Sequence, residues 1–440
     1  MVQIFLAMII LVVSATALAR PWVGISSYYF LSILGPQYIW WWNFEGLRAS
    51  LFVALCTLAG VAFSIVKHRC DFSFLYTRLN KVVLVLWLFL TASYFFGPFV
   101  ADYSFSGRSP SQIFSLFNTI FVMYFCSVLS INNRDSLRFL SLAIVVATAY
   151  LTYWANSQYF SENWSNFNFG RLMGPRSPVG GSVYADENMF ATFFVTGLPF
   201  VYYLGQGMKN AWIRYLLWAI IPMGCHAIFL TGSRGGLIGI GVALLFAVYL
   251  SNKRYLALPI LLVAFLFYQW QAGSIMKERS EIITQYEEDR SAGDRLTAWS
   301  GGLSMVLSHP VTGVGLASFV TALPNYIDTR PMQAHNTFIQ FTSESGIGAG
   351  IAYLAIILLF FANARRIRTW CLDHGDSPEG RSIERYNNAS TVSFAGLLAC
   401  SIFLSLNTYE IFFILLIFNN SLDLLCSGLS DLAQTHPLVA

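Results

Sequence analysis

TGSRGG, Thr231 to Gly236, sits between two long apolar runs, and its arginine stands on an unexpected side of a membrane. The run that follows, roughly 237–251, ends in Lys253 and Arg254. Basic residues collect at the cytoplasmic ends of membrane helices. With Lys253 and Arg254 on that side, Arg234 lies one crossing away, at the outer face. Topology gives no reason for an arginine there, whereas an anionic ligand does.

The rest of the chain has the same membrane character. Of its 440 residues 56% are hydrophobic and only 11% charged, against about 25% charged in a soluble domain. No water-soluble core could bury so much apolar surface. The apolar runs, each about 17–25 residues long, suit helices rather than barrel strands. The predicted fold class is therefore all-α, a polytopic membrane protein with about 12–13 membrane helices. Candidate crossings lie near 2–19, 22–42, 48–66, 82–101, 112–131, 139–157, 187–206, 212–230, 235–251, 255–272, 335–361, 389–406 and 408–427. Val2 to Leu18 lacks a basic leader and a cleavage site, so it reads as a retained segment. Arg20-Pro21 and Gly35-Pro36 interrupt the first two runs, which leaves room for a half-crossing or an interfacial segment there.

Charge placement orients the threading. Four basic clusters fall on one side: Lys67, Arg69, Arg78 and Lys81; Arg134 and Arg138; Lys253 and Arg254; Arg365, Arg366 and Arg368. That side reads as cytoplasmic and carries the C-terminus. The net charge of +4 is no nucleic-acid signal. None of the seven cysteines falls in an outer loop and none forms a C-x-x-C pair, so neither a disulfide framework nor a metal site is predicted.

Three regions follow. Residues 1–272 hold the first membrane helices, with an outer loop near 158–186. Residues 273–334 form a large outer loop, and 335–440 the last membrane helices. The large loop is not low-complexity. Leu296, Trp299, Leu303 and Leu307 recur at helical spacing, predicting a folded outer cap with short helices, and SHPVTGVG (Ser308 to Gly315) reads as a turn.

Candidate chemistry gathers at outer helix ends. Gly232, Gly235 and Gly236 leave room around Arg234 for a ligand or for close helix packing, and Ser233 with the opening amides of the next helix adds anion-binding capacity. A guanidinium there binds phosphate bidentately; the bland alternative is an arginine snorkelling to lipid phosphates. His335 opens AHNTFIQFTSESGIGAG (Ala334 to Gly350), where the large loop re-enters the membrane. It suits a general base, or else a cap. On a straight helix His335, Gln340 and Glu344 share a broad face, with Glu344 about two turns inside the membrane, where a carboxylate is costly and usually functional or paired. Asn336 lies beside them. Arg290 and Arg295 in EEDRSAGDR form a second cationic group or a solvated loop. Asp186 and Asn188 in YADENMFA begin a helix, with Arg171 and Arg176 upstream; an N-cap is the plain alternative.

TGSRGG opening an apolar helix, a long outer loop and then HNTFIQFTSESGIG resembles the O-antigen ligase and polymerase superfamily. Thr284 to Phe319, and ALARPWVG (Ala17 to Gly24), are similar to the putative O-glycosylation ligases associated with exosortase systems. The resemblance spans most of the chain, and its two anchor motifs are shared by ligases and polymerases. It implies a GT-C-like glycosyltransferase of the bacterial inner membrane with its active site facing the periplasm. The donor would be a glycan on undecaprenyl diphosphate and the acceptor a lipid A-core, glycan or protein hydroxyl, within membrane lipids and without a cofactor. Arg234 matches the arginine expected to bind the diphosphate, Arg290 or Arg295 a loop arginine of similar role, and His335 the histidine expected to activate the acceptor. Asp186 and Asn188 sit where relatives often read Asp-Pro-Asn; here Glu187 is the middle residue.

The mechanism implied is a single, inverting displacement. Diphosphate is already a good leaving group, so arginines can stand in for a divalent metal, and no compact D-x-D motif appears on the outer face. O-antigen or exopolysaccharide polymerisation and protein O-glycosylation are the enzymatic alternatives. A lipid or polysaccharide transporter is the non-enzymatic one, but it calls for ionisable or broken segments at the bilayer midplane, whereas here the ionisable residues cluster at outer helix ends. Glu410 reads as a residue of a short outer turn.

Overall fold

The computed structural model describes residues 2–44, 48–102, 108–178, 180–181, 183–251, 255, 293–375 and 377–435. Lys253, Arg254, Arg290 and the expected crossing over 255–272, apart from Tyr255, lie outside the described residues.

The protein is an all-α bundle. Its helices are α1 (Val2–Ala19), α2 (Pro21–Leu34), α3 (Ala49–Val66), α4 (Arg78–Phe96), α5 (Pro110–Ser130), α6 (Arg134–Phe160), α7 (Glu187–Gln206), α8 (Ala211–Thr231), α9 (Arg234–Leu250), α10 (293–308), α11 (Thr337–Asp373), α12 (Pro378–Ser401) and α13 (Glu410–Thr435). Seven of these contain spans long and apolar enough to cross a membrane, with α1 and α9 as shorter apolar helices. The described strands are two hairpins of two-residue strands, Phe167–Asn168 with Arg171–Leu172 and Arg176–Ser177 with Gly180–Gly181.

Polar caps set the helix starts. Thr77, Ser109, Asn133, Asn210, Ser233 and Ser377 each accept a backbone N–H of the first turn with their side chains, which satisfies amides that have no partner within the helix. Gly35, in the left-handed region at φ 55°, ends α2, and short helical turns replace the expected continuation to 42. α12 begins well before the apolar run near 389, because its first turns carry Arg381, Glu384 and Arg385 beyond the apolar layer.

Small residues bring the helices together, as packing between apolar helices in lipid demands. A Cβ at Gly60 of α3 would lie 2.2 Å from the carbonyl oxygen of Ala17 in α1, and one at Gly24 of α2 would meet Thr57 of α3. Gly239 of α9 faces Cys400 and Gly396 of α12, and Gly236 of α9 sits against Ala191 of α7. α13 is the central helix: 78% of its apolar window is buried inside the bundle, against 28–56% for the other spans.

Contacts sort the helix ends into two sets. At one end Arg134 pairs with Glu379, Arg366 with Asp423 at 2.5 Å, and Arg368 donates to the Leu250 carbonyl. At the other end Asn336 donates to the Ile402 carbonyl, Phe99 N–H to that of Val314, and Tyr409 to that of Met189. The basic clusters within the described residues thus gather at one end of the bundle, and Arg234 is at the other.

Two readings of the outer region change. α11 is not straight: Ser345 and Gly346 leave helical geometry, Gly346 at φ 82° and ψ 171°. Its first turns fold across the rest, so that Thr342 and Phe338 pack on Gly350 and Phe341 contacts Tyr353. Glu344 therefore sits at the corner of a broken helix rather than two turns down a continuous one. The predicted amphipathic helix exists as α10, but its leucine stripe points outward. Leu296, Leu303 and Leu307 are exposed, whereas Ala298 and Met305 pack with Val314, Phe319, Leu323 and Ala334 into a small separate core.

Candidate active site

TGSRGG forms a tight inter-helix link, with only Gly232 and Ser233 between α8 and α9. Gly232 takes φ 62° as the cap that ends α8, a conformation open to glycine at little cost. Ser233 starts α9 immediately, its buried hydroxyl accepting the Gly236 N–H at 3.1 Å. Arg234 is thus the first residue of α9, exposed beside the positive end of the helix dipole. The glycines have separate jobs. Gly232 leaves space for Arg171, whose Cγ would lie 3.1 Å from an added Cβ, and Gly236 admits Ala191 of α7. Only Gly235 stays uncrowded, its nearest neighbour Phe403 being at 3.7 Å.

Asp186 caps α7, its Oδ1 accepting the N–H groups of Asn188 at 2.9 Å and Met189 at 3.0 Å. Arg171, on the first hairpin, forms an ion pair with Glu187 at 3.5 Å. Arg176 is turned elsewhere, donating to the Ser165 carbonyl at 3.1 Å.

The large loop brings its own cation. Arg295 lies in the first turn of α10, close enough to Arg234 for their like charges to interact. Surrounding protein and the Arg234 charge both hold the Arg295 guanidinium below its usual range. Trp299 of α10 donates to the Ala334 carbonyl at 2.9 Å, which ties this helix to the residue before His335.

His335 opens to solvent and takes φ 47°, unusual for a residue with a side chain and frequent at functional sites. Packing around the imidazole and the Arg295 charge lower its pKa below the ordinary histidine value, and Asp186 opposes them. Arg234, Arg295, His335 and Asp186 are therefore linked by charge although they come from four separate elements. Asn336 is a structural neighbour: it caps α11 through Ile339 N–H at 3.0 Å and donates to the Ile402 carbonyl at 3.1 Å.

Glu344 is buried and faces the loop. Its Oε1 accepts the Phe319 N–H at 3.3 Å and the Gln340 amide at 3.2 Å, while its carbonyl accepts Gly315 N–H at 3.0 Å and the Ser93 hydroxyl at 2.6 Å. Beside it Val314 donates to Ser343, and Ile347 to Pro310. The SHPVTGVG turn is thereby clipped into the corner of α11. What this arrangement offers Glu344 is a positioning role for the loop that carries Arg295.

The segment joining α12 to α13 also contributes, which the sequence did not signal beyond placing Glu410 in a short turn. Thr337 donates to the Leu404 carbonyl at 2.7 Å and accepts from Leu406 N–H at 2.9 Å, fixing the start of α11 next to His335. Glu410 is more than a turn residue: it begins α13 and accepts hydrogen bonds from Tyr28 at 2.9 Å and Ser32 at 2.6 Å, anchoring α2.

Comparison with protein-family models matches residues 218–354 to the O-antigen ligase family and residues 1–157 to a family of unknown function (DUF5935). No curated protein matches the chain. The first match runs from within α8 through the Arg234 link and α10 to beyond the corner of α11, so it contains Arg234, Arg295, His335 and Glu344. Arg171, Arg176, Asp186 and Asn188 lie between the two matches. The match supports a membrane enzyme of the O-antigen ligase or polymerase type. Over residues 218–354 the chain matches the O-antigen ligase family, and that match supports its placement in the O-antigen ligase superfamily.

Proposed function

We propose that the protein transfers a glycan from undecaprenyl diphosphate to an acceptor hydroxyl at the periplasmic face of a bacterial inner membrane, with a lipid A-core as the favoured acceptor. The observation that carries this reading is the charge-linked group of Arg234, Arg295 and His335 at the N-terminus of a helix. Two guanidiniums and a helix N-terminus suit a diphosphate. A solvent-accessible imidazole beside them suits a hydroxyl that must lose a proton.

In this mechanism His335 takes the acceptor proton as the oxygen attacks the anomeric carbon of the lipid-linked sugar. The bond from that carbon to the diphosphate oxygen breaks, and its electron pair leaves on undecaprenyl diphosphate. Arg234 and Arg295 stabilise the charge that develops there, and a donor of this kind is worth about 3–4 kcal/mol in the transition state. Asp186 favours the imidazolium that forms. Attack opposite the leaving group inverts the anomeric centre. Glu344 acts from a distance by holding the loop that presents Arg295.

The test is transfer by the purified, lipid-reconstituted protein. His335→Ala should abolish product while donor binding persists, and Arg234→Ala should weaken donor binding. Transfer that survives His335→Ala would remove the base from the scheme, and undiminished donor binding in Arg234→Ala would remove the diphosphate contact.

A further inference from the structure

Among the described residues the outward stripe of α10 has no partner. Leu296, Leu303 and Leu307 are 65%, 61% and 73% exposed and recur at i, i+7 and i+11, which puts them along one helix face. Val311, three residues beyond the helix, extends the stripe at 74% exposure. The opposite face, with Ala298 and Met305, supplies the small core, so the leucines are not waiting to turn inward.

The neighbourhood identifies what covers the stripe. Pro310 and Val311 are seated on the corner of α11: the Pro310 carbonyl accepts Ile347 N–H at 2.9 Å, and the Val311 carbonyl lies against Gly346. From that corner α11 continues as an apolar span whose Ile347 and Ile351 are themselves exposed on the bundle surface. On the other flank Gly315 touches Gly97, the residue that ends α4, another apolar span. The leucine stripe thus runs into a turn seated at the ends of two membrane helices, beside the exposed Ile347 and Ile351 of α11 and on the same side as Arg234.

We propose that the Leu296–Leu303–Leu307 face of α10 rests in the acyl-chain boundary of the bilayer, making α10 an interfacial helix. An apolar helix face placed at the end of membrane spans gains by removing its surface from water into the lipid boundary. The consequence is positional. Arg295, at the start of α10, is held at the height where a lipid-borne anion meets water.

The assignment is tested on the unmodified full-length chain, one copy per phospholipid nanodisc, with a photoactivatable diazirine on the lipid acyl chain. Labelled peptides are mapped by mass spectrometry. Label on residues 296–311 should match that on the α11 stretch around Ile351 and exceed by several-fold that on the exposed loop around Gln333. Label on 296–311 no higher than around Gln333 would overturn the proposal, and with one copy per disc a contact between copies cannot mask it. The readout requires no turnover, so its failure would be separate from any failure of the catalytic reading.

Discussion

A single methyl group at the corner of α11 should disturb the protein far from any reacting atom. Gly346 has φ 82° and ψ 171°, a region that is essentially glycine's alone. Gly346→Ala would cost about 1–3 kcal/mol for that backbone conformation. The new Cβ would also lie 2.2 Å from the Val311 carbonyl oxygen, 2.6 Å from its carbon and 2.8 Å from the Pro310 oxygen. These are backbone atoms and cannot rotate aside, so the turn must lift by about 1 Å, an overpacking cost of about 1–3 kcal/mol. The two effects together come to about 2–6 kcal/mol, acting on the clip that holds residues 310–315. Because that turn leads back into α10 and Arg295, a displacement of about 1 Å should lower kcat/KM by about a hundredfold. The measurements are thermal unfolding, limited proteolysis across 309–318, and transfer kinetics in reconstituted membranes. Wild-type melting, protease resistance and kcat/KM in Gly346→Ala would refute the claim that the corner positions the outer loop.

Other perturbations separate the roles within the site. Arg234→Ala or Arg295→Ala should each reduce kcat by about 10²–10³-fold, measured at saturating donor, since each removes one stabiliser of the leaving diphosphate. The pH profile of kcat/KM should show an acid limb below the ordinary histidine value, because the neutral imidazole is the active form and its pKa is lowered. Arg295→Gln removes a charge that lowers it and should move that limb to higher pH, whereas Asp186→Asn removes one that raises it and should move the limb to lower pH. Glu344→Ala, which leaves the Phe319 N–H without its buried acceptor, should destabilise the outer loop by about 1–3 kcal/mol in unfolding measurements, and Glu344→Gln, which keeps an acceptor oxygen, by less.

Much of this could be read from residues alone because lipid makes local rules strong. Apolar run length located most helices, since every backbone group in a bilayer must bond within its own segment. The side assigned to Arg234 followed from where Lys and Arg collect, and Gly232 and Ser233 behave as their residue types demand at a helix junction. What escaped were features set by tertiary contact. The break at Ser345-Gly346 carries no proline; it exists because Pro310–Gly315 inserts there, and a SESGIG stretch in an apolar run looks like ordinary helix. The face of α10 was misleading for a related reason. A leucine stripe usually marks the side turned to a core, but here Ala298, Gly301, Gly302 and Met305 give the close-packing side. Asn336 and Asp186 illustrate a further ambiguity, because a cap and a ligand-binding side chain have the same composition: both cap helices here, and Asp186 in addition carries a charge that acts on His335.

The central claim is that His335 and Arg234 together transfer a glycan from a lipid diphosphate. It is tested most directly by supplying purified, reconstituted protein with a defined undecaprenyl-diphosphate glycan and a lipid A-core acceptor, and identifying the product by mass spectrometry. The account predicts a new glycosidic bond of inverted configuration and stoichiometric release of undecaprenyl diphosphate, both lost in His335→Ala. Product of retained configuration, or equal product from His335→Ala, would contradict it.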